Sequence, residues 1–268
     1  MPRLIDPDEP DPVGIERPDA VGETLILADH AGNLVPRRLR GLGLAQANLG
    51  RHIAIDVGIL GTSMALARLV DATLVHQRYS RLVIDCNRPP DRPDAMPARS
   101  DGTRVPGNEG LTPEDRHERV EAIFAPYHAA IAALIAARVA AGRPPVVVAM
   151  HSFTAVHGDL PGPRPWHVGV LHNRDPRLAR ALMAELAAEP GLVVGDNEPY
   201  GVSDEIDYAI PIHCEARGLL HVEIEIRQDL IAGTVGQQDW AERLARALPR
   251  AVARARAASL AQVVGDGR

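Results

Sequence analysis

Apolar segments with two different periodicities alternate along most of the chain. Short runs rich in Leu, Ile and Val predict β-strands, and apolar residues at helical spacing predict the helices between them. The predicted strands cover residues 23–29, 72–77, 80–85, 144–150, 166–171, 192–197 and 219–226. The predicted helices cover residues 35–49, 58–70, 112–142, 174–189, 203–218 and 236–262. The segment at 203–218 is predicted as either a regular or an irregular helix. This alternation is typical of an α/β protein.

The order of these elements predicts one domain. No repeat and no linker divides residues 21–268, so we expect a single α/β domain with an open mixed, largely parallel sheet and helices on both faces. Residues 1–20 are acidic and rich in proline, which predicts an irregular N-terminal arm. The run at 144–150 is apolar throughout and predicts a central strand. The polar, proline-rich connection at 86–110 predicts either a cover for a functional site or a disordered segment.

Composition and charge narrow the function classes. The net charge of -6 argues against a nucleic-acid-binding surface, because phosphate binding needs a basic face. All 29 basic residues are arginine, so a lysine Schiff-base mechanism is excluded. The two cysteines lack the spacing of a zinc finger or a disulfide framework. The N-terminal residues do not have the pattern of a signal peptide, and no apolar run approaches the length of a membrane span, which predicts a cytoplasmic protein.

Polar residues cluster where the predicted strands end. In an open α/β sheet the ligand-binding crevice lies beyond the carboxyl ends of the strands, so we expect these side chains to share one rim. They are Asp29, His30, Asp56, Asp85, Asn87, Arg88, His151, Asn197, Glu225 and Arg227. Two imidazoles and one carboxylate are the smallest protein ligand set of a catalytic zinc site that keeps a position open for water. The alternative is that each histidine is a structural hydrogen-bond partner.

A second cluster lies around the third predicted strand. Strand alternation would place Arg81, Val83 and Asp85 on one face, with Asn87 and Arg88 just beyond the strand end. Guanidinium and amide groups in this arrangement are suited to binding a carboxylate. The alternative is a structural ion pair between Arg81 and Asp85.

A third cluster lies in the last predicted strand. Glu223, Glu225 and Arg227 share one face of that strand by the two-residue period. A carboxylate inside an apolar strand is costly unless it is paired or functional. The pattern therefore predicts either a ladder of ion pairs or a general base beside a metal-activated water.

Segments along nearly the whole chain, from about residue 23 to 247, resemble the N-formylglutamate amidohydrolase family, which is similar to zinc carboxypeptidases and aspartoacylases. The resemblance rests on DHAGNLVP, IAIDVGILG, YSRLVIDCNRP, VPGNEGLTPEDRHERV, FAPYH, AMHSFT, DNEPYG and HVEIEIRQDLI. It implies a phosphorylase/hydrolase-like α/β fold and a role in histidine catabolism. The implied reaction is cleavage of N-formyl-L-glutamate, or a similar N-acyl acidic amino acid, to formate and L-glutamate by zinc-activated water.

The resemblance also implies a zinc site. His30 and His151 would be two of the ligands. Asn33 stands where the carboxypeptidase-like relatives have a glutamate ligand, so the resemblance does not fix the third ligand. Asp56 is favoured because it sits at a helix start after a strand-like segment, with Asn33 or Asp29 as the alternatives.

The resemblance extends to the residues around the metal. The implied catalytic residues are Glu225, which would take the proton of the water, and Arg81, which would stabilise the oxyanion. The residues expected to hold the carboxylates of the substrate are Asn87, Arg88, Asn197, Tyr200 and Arg227.

Two alternative functions stay open. The same metal site could hydrolyse another N-acyl amino acid or a peptide-like amide, because the loop at 86–110 carries no readable specificity. The chain could instead be a metal-free protein that binds an anionic metabolite through its arginines, which the departure at Asn33 favours. In each case we expect a small anionic molecule as the partner, with no nucleic acid and no membrane, and a homo-oligomer is left open.

Overall fold

The structure, a computed structural model, describes residues 3–156 and 162–266, with side chains up to residue 259. The ends of the predicted arm and domain, residues 1–2 and 267–268, lie outside the described residues. The strands are β1 (Val13–Glu16), β2 (Thr24–Ala28), β3 (Thr73–Gln77), β4 (Arg99–Ser100), β5 (Thr103–Arg104), β6 (Val146–Phe153), β7 (Val168–Leu171), β8 (Val194–Asp196) and β9 (His221–Arg227). The α-helices are α1 (Ile59–Leu69), α2 (Pro113–Arg119), α3 (Ala125–Ala140), α4 (Arg177–Ala187) and α5 (Thr234–Asp266).

In the part of the chain that the structure describes, seven strands form one sheet in the order β1-β3-β2-β6-β9-β7-β8. The central strands β3, β2, β6 and β9 run parallel, so their carboxyl ends lie at one edge of the sheet. The pair β7 and β8 runs antiparallel to β9, and β1 runs antiparallel to β3. The predicted single α/β domain with a mixed, largely parallel sheet is confirmed.

Each face of the sheet has its own hydrophobic core. On one face, Ile26 and Val148 pack with apolar residues of α1, α4 and α5. On the other face, the neighbouring residues Leu25 and Val147 pack with apolar residues of α3. Successive residues of a strand point to opposite faces, so strands that are apolar throughout can serve both cores. The predicted helices on both faces are confirmed.

Several local predictions were wrong. Residues 80–85 form a turn rather than a strand, in which the hydroxyl of Ser80 accepts a hydrogen bond from the amide of Leu82 (3.1 Å) and donates one to the carbonyl of Ala54 (2.8 Å). Residues 35–49 form separate 3₁₀ turns rather than one helix, and the strand-like segment before Asp56 is also a turn. A short strand, β1, lies within the predicted irregular arm and completes the sheet edge beside β3.

The predicted helix at 112–142 is confirmed, with one π-helical turn at Val120–Phe124 between α2 and α3. By length and composition, Pro113–Ala140 could cross a membrane, so the prediction that no apolar run approaches that length was wrong. Core helices of globular proteins meet the same criterion. In this segment Tyr127 and Ile131 are completely buried in the core against the sheet.

The connection at 86–110 is folded rather than disordered. It contains the β4–β5 hairpin and is anchored by Arg119 of α2. The buried guanidinium of Arg119 donates hydrogen bonds to the Asn108 side chain (2.7 Å) and to the carbonyls of Val83 and Gly107 (3.0 and 2.9 Å). This anchoring fixes the segment beside the carboxyl ends of the central strands.

Candidate metal centre and active-site cavity

A cavity of about 360 Å³ lies at the carboxyl ends of β2, β6 and β9, on the side of the sheet that α3 covers. The parallel register of β6 and β9 places His151 opposite Glu225 and Ala149 opposite Glu223. On this face β6 is apolar up to Ala149 and then carries His151, whereas β9 carries the ionisable residues His221, Glu223 and Glu225. Because β6 continues to Phe153, His151 lies within the strand rather than beyond its end.

The predicted metal ligands meet in this cavity. The Nδ1 atoms of His30 and His151 lie 3.2 Å apart, and Oδ2 of Asp56 is 3.5 Å from the first and 3.1 Å from the second. All three side chains are buried. Within residues 3–156 and 162–266, they form the single cluster of three or more His, Cys, Asp or Glu donors close enough to share a metal ion.

Main-chain hydrogen bonds bring Asp56 to the two histidines. The Asp56 amide donates to the carbonyl of His30 (2.9 Å), and the Ser152 amide donates to Oδ2 of Asp56 (3.1 Å). The Ser152 hydroxyl donates to the carbonyl of Val57 (3.0 Å). These bonds tie the turn before α1 to both β2 and β6, so the carboxylate faces both imidazoles.

Asp85 orients His30. Oδ1 of Asp85 lies 2.6 Å from Nε2 of His30, which places a proton on Nε2 and leaves the Nδ1 lone pair available for a metal ion. Arg81 donates to the second oxygen of Asp85 (2.9 Å) and to Oδ1 of Asp56 (3.3 Å). The ion pair between Arg81 and Asp85, which the sequence analysis left open as the alternative to carboxylate binding, is therefore present, and Arg81 also lines the cavity.

The electrostatics of the ligands favour a cation between them. Burial opposes ionisation of Asp56 and Asp85, but His30 and Arg81 nearby hold the pKa of both carboxyl groups below the ordinary value. Burial opposes protonation of His151, yet Glu223 and Asp56 raise its pKa well above the ordinary value. The carboxylates thus create a negative electrostatic potential between the ligands, which favours binding of a proton or a metal ion there.

Glu223 and Glu225 are two carboxyl groups of the cavity whose pKa values are raised. Burial raises the pKa of Glu225 to about 8, with the charge of Asp56 adding to the increase and His151 opposing it. Burial likewise raises the pKa of Glu223 to about 7. Neither Oε2 atom has a hydrogen-bond partner among the described residues. Perturbed, unpaired carboxyl groups in a cavity are typical of catalytic acids and bases.

Asn87 and Arg88 form one wall of the cavity, together with Asp207. The Asn87 side chain accepts hydrogen bonds from the amides of Tyr208 (3.3 Å) and Ala209 (3.1 Å). Arg88 donates to Oδ1 of Asp207 (3.2 Å) and is about one quarter exposed, so part of its guanidinium faces the cavity. The asparagine thus fixes the wall, and the arginine supplies its positive charge.

Tyr200 also lines the cavity. Its hydroxyl accepts a hydrogen bond from Nη1 of Arg164 (2.8 Å), and the Arg164 guanidinium lies over its ring. The chain reaches this point by folding back over β7. The carbonyl oxygen of Glu198 would lie 2.1 Å from a Cβ atom at position 169, so only Gly169 permits this path.

The structure does not bring every predicted site residue to the cavity. Asn197 follows β8, which runs opposite to β9, and its side chain accepts a hydrogen bond from the His172 amide (2.9 Å) outside the cavity. The Arg227 side chain pairs with Asp229 (2.8 Å) and does not line the cavity. Asn33, an alternative third ligand, instead donates to the carbonyl of Leu49 (2.9 Å).

Several residues of the site were not predicted in their observed roles. Arg164 and Asp207 lie in irregular segments without a motif, so the sequence carries no signal for them. Asp85 was placed on the correct rim, but its hydrogen bond to His30 joins residues 55 positions apart. Glu223 lines the cavity together with Glu225, which the two-residue period of the strand does predict.

Comparison with known proteins identifies relatives over nearly the whole chain. The structure of a gene product of Agrobacterium tumefaciens is similar over 94% of this chain and 98% of its own, with 40% identity and a TM-score of 0.90. N-formylglutamate amidohydrolase from Ralstonia eutropha JMP134 has the same fold over 92% of this chain and 99% of its own, with 20% identity and a TM-score of 0.63. The curated proteins contain no match. The N-formylglutamate amidohydrolase family matches residues 22–232, and the chain therefore belongs to this family.

Proposed function

We propose that this protein is a cytoplasmic, zinc-dependent amidohydrolase that cleaves N-formyl-L-glutamate, or a similar N-acyl acidic amino acid, to formate and L-glutamate. The observation that carries the proposal is the convergence of two imidazole Nδ1 atoms and one carboxylate oxygen beside an unpaired, buried glutamate, Glu225. This combination of an open ligand set and a proton acceptor is what metal-assisted hydrolysis of an amide needs.

The residues present fit a zinc ion. Ligand atoms that each lie 2.0–2.1 Å from a tetrahedral ion are about 3.3 Å apart. The three candidate atoms of His30, Asp56 and His151 are separated by 3.1 to 3.5 Å. Three protein ligands leave a fourth position for water or substrate, as in catalytic rather than structural zinc sites. When bound, zinc would supply the Lewis acidity that makes water nucleophilic near neutral pH.

Glu225 is the proposed general base. It lies opposite His151 in the β6–β9 register and lines the cavity. A divalent cation held by His30, Asp56 and His151 would lower the raised pKa of Glu225 and keep it ionised at neutral pH. Glu225 would take a proton from the attacking water and deliver it to the nitrogen of the departing amine.

Arg81 is the proposed stabiliser of the oxyanion. Its guanidinium uses two N–H groups on Asp56 and Asp85, which fixes its plane beside the ligands. A guanidinium carries five N–H donors, so three are left for substrate. A donor that is already fixed in place costs little reorganisation when negative charge develops on the scissile carbonyl oxygen.

Arg88 and Tyr200 are proposed to hold the carboxylates of the substrate, with Asn87 as the support of that wall. Arg88 contributes a partly exposed guanidinium. The Tyr200 hydroxyl accepts a hydrogen bond from Arg164, so its own O–H can donate into the cavity. Asn197 and Arg227, which the sequence analysis also assigned to substrate binding, have no role in this proposal.

The test is an assay of purified protein against a panel of N-formyl and N-acyl amino acids, with detection of the released amine. We expect stoichiometric zinc, and the highest kcat/KM for acidic N-formyl amino acids. His30→Ala should lose both zinc and activity, whereas Tyr79→Phe, which removes a hydroxyl that donates to the carbonyl of Pro10, should retain both. Preference for a neutral N-acyl amino acid would reassign the substrate, and wild-type protein without metal or turnover would support the metal-free anion-binding alternative.

A further inference from the structure

Two buried polar atoms beside the metal centre face each other without a hydrogen-bond partner. Nε2 of His151 and Oδ2 of Asp29 are 3.8 Å apart, and each is unpaired among the described residues. Their residues are 2% and 1% exposed, so bulk water does not satisfy them. Unpaired buried polar atoms are rare in folded proteins, and a facing pair of them calls for an explanation.

Asp29 is held in position from the opposite side. The hydroxyl of Tyr127, on α3, donates to Oδ1 of Asp29 at 2.5 Å. Tyr127 is completely buried, and its ring packs in the core between α3 and the sheet. The bond leaves Oδ2 as the oxygen of Asp29 nearest to the His151 ring.

We propose that Asp29, supported by Tyr127, is a positioning residue that holds the His151 ring in the orientation needed to bind the metal ion. The proposal rests on the proposed zinc site. A histidine that uses Nδ1 as its metal ligand carries its proton on Nε2, which then becomes a donor toward Oδ2 of Asp29. A small rotation of the ring or the carboxylate would shorten the 3.8 Å separation to hydrogen-bond distance.

The other histidine already shows this arrangement. His30 is paired through Nε2 with Asp85 at 2.6 Å, on the side of the ring away from the ligand atom. With Asp29, both imidazole ligands would have a carboxylate behind them. Asp29 and His30 are adjacent, so the end of β2 would supply one ligand and the support of the other.

Zinc affinity, measured by competition with a chromophoric chelator, is the first test. We expect Asp29→Asn to weaken zinc binding 10- to 100-fold, as is typical when the partner of a metal-bound histidine is lost. Tyr127→Phe should weaken it by a smaller factor, because the carboxylate is kept but loses its support. Asp85→Asn is the positive reference. Tyr79→Phe is the matched control, because it also removes a buried hydroxyl but lies away from the cavity.

The second test reads the histidine protons directly and does not depend on activity. In protein loaded with Co²⁺, the ring N–H protons of metal-bound histidines give strongly shifted proton NMR signals that disappear in D₂O. We expect two such signals in the wild type. Asp29→Asn should lose or broaden one of them through faster exchange with water, and Asp85→Asn should affect the other.

The outcomes separate the two proposals. Wild-type protein that binds neither Zn²⁺ nor Co²⁺ would overturn the proposed function and this inference with it. Wild-type protein that binds metal, while Asp29→Asn keeps the same affinity and both N–H signals, would overturn only the role of Asp29. Should Asp29→Asn fail to fold, Asp29→Ser is read by the same two measurements, and unchanged affinity with both N–H signals kept would refute the role of Asp29. Unchanged values in Tyr127→Phe would refute only the support by Tyr127.

Discussion

Acid should destabilise this protein through a pair of buried histidines. His128 on α3 and His213 lie with their rings stacked, and Nδ1 of the first is 2.9 Å from Nε2 of the second. Nε2 of His128 is 2.8 Å from the carbonyl of Cys86, so this carbonyl accepts a hydrogen bond from the Nε2–H group of a neutral imidazole. The pair therefore supports the segment that carries Asp85 and Asn87, and we expect both rings to be neutral in the folded protein.

The size of the effect follows from the pKa values. Burial lowers the pKa of His128 to about 3, with His213 adding to the decrease, and burial lowers the pKa of His213 to about 4. An unfolded histidine has a pKa of about 6.5. The unfolded chain therefore binds more protons below that pH, and stability is lost as the pH falls from about 6.5 towards 4. At pH 5 the loss is about 2 kcal/mol per histidine, a large share of the 5–15 kcal/mol of a typical domain.

The measurement is the free energy of unfolding in urea at pH 8 and pH 5, without metal, for the wild type, His213→Gln and His128→Gln. A glutamine amide can still donate where each Nε2 atom does, so each variant removes one titrating group with little loss of contact. Each should reduce the loss of stability between pH 8 and pH 5 by about 2 kcal/mol. Tyr79→Phe, which removes no imidazole, should behave like the wild type.

Only the difference between variants tests this reasoning. The raised pKa values of Glu223 and Glu225, about 7 and about 8, act in the opposite direction, because their contribution is present at low pH and lost as the pH rises. They are common to all the proteins compared. If both glutamine variants lost as much stability at pH 5 as the wild type, the two histidines would not be buried as neutral groups.

Three further predictions concern the site and its walls. Glu225→Gln should lower kcat by about 10²- to 10⁴-fold with zinc content unchanged, and a variant with wild-type turnover would exclude Glu225 as the base. Removing zinc with a chelator should abolish amide hydrolysis, and full activity in metal-free protein would refute the zinc mechanism. Adding zinc at 100 times its Kd should raise the free energy of unfolding by about 2.7 kcal/mol. Gly169→Ala should cost about 1–3 kcal/mol in urea unfolding and raise KM, because the added Cβ displaces the Glu198 carbonyl and with it Tyr200; unchanged KM would separate Tyr200 from substrate binding.

The spacing of apolar residues along the chain predicted most of the strands and helices correctly. The runs that became β2, β3 and β6 contain consecutive Leu, Ile or Val residues, β9 alternates apolar with ionisable residues, and α1 has apolar residues at helical spacing, so short-range sequence alone indicates them. The rule that polar residues at strand ends form the site placed His30 and His151 together, because both lie near the carboxyl ends of parallel strands. Asp56 joins them although it follows a turn, because its amide bonds to the carbonyl of His30. The same rule misplaced Asn197, because strand direction is not written in the apolar pattern.

The failures have a common cause. The segment at 80–85 has the composition of a strand, yet the Ser80 hydroxyl caps a turn there through a contact with the Ala54 carbonyl, far away in the sequence. The link between Tyr127 and Asp29 likewise joins residues 98 positions apart. A pattern of neighbouring residues records which segments become strands and helices and which side chains can carry chemistry. Only the packed sheet decides strand direction, which carboxylate faces which imidazole, and which buried atoms are left without a partner, because those are properties of residues brought together by folding.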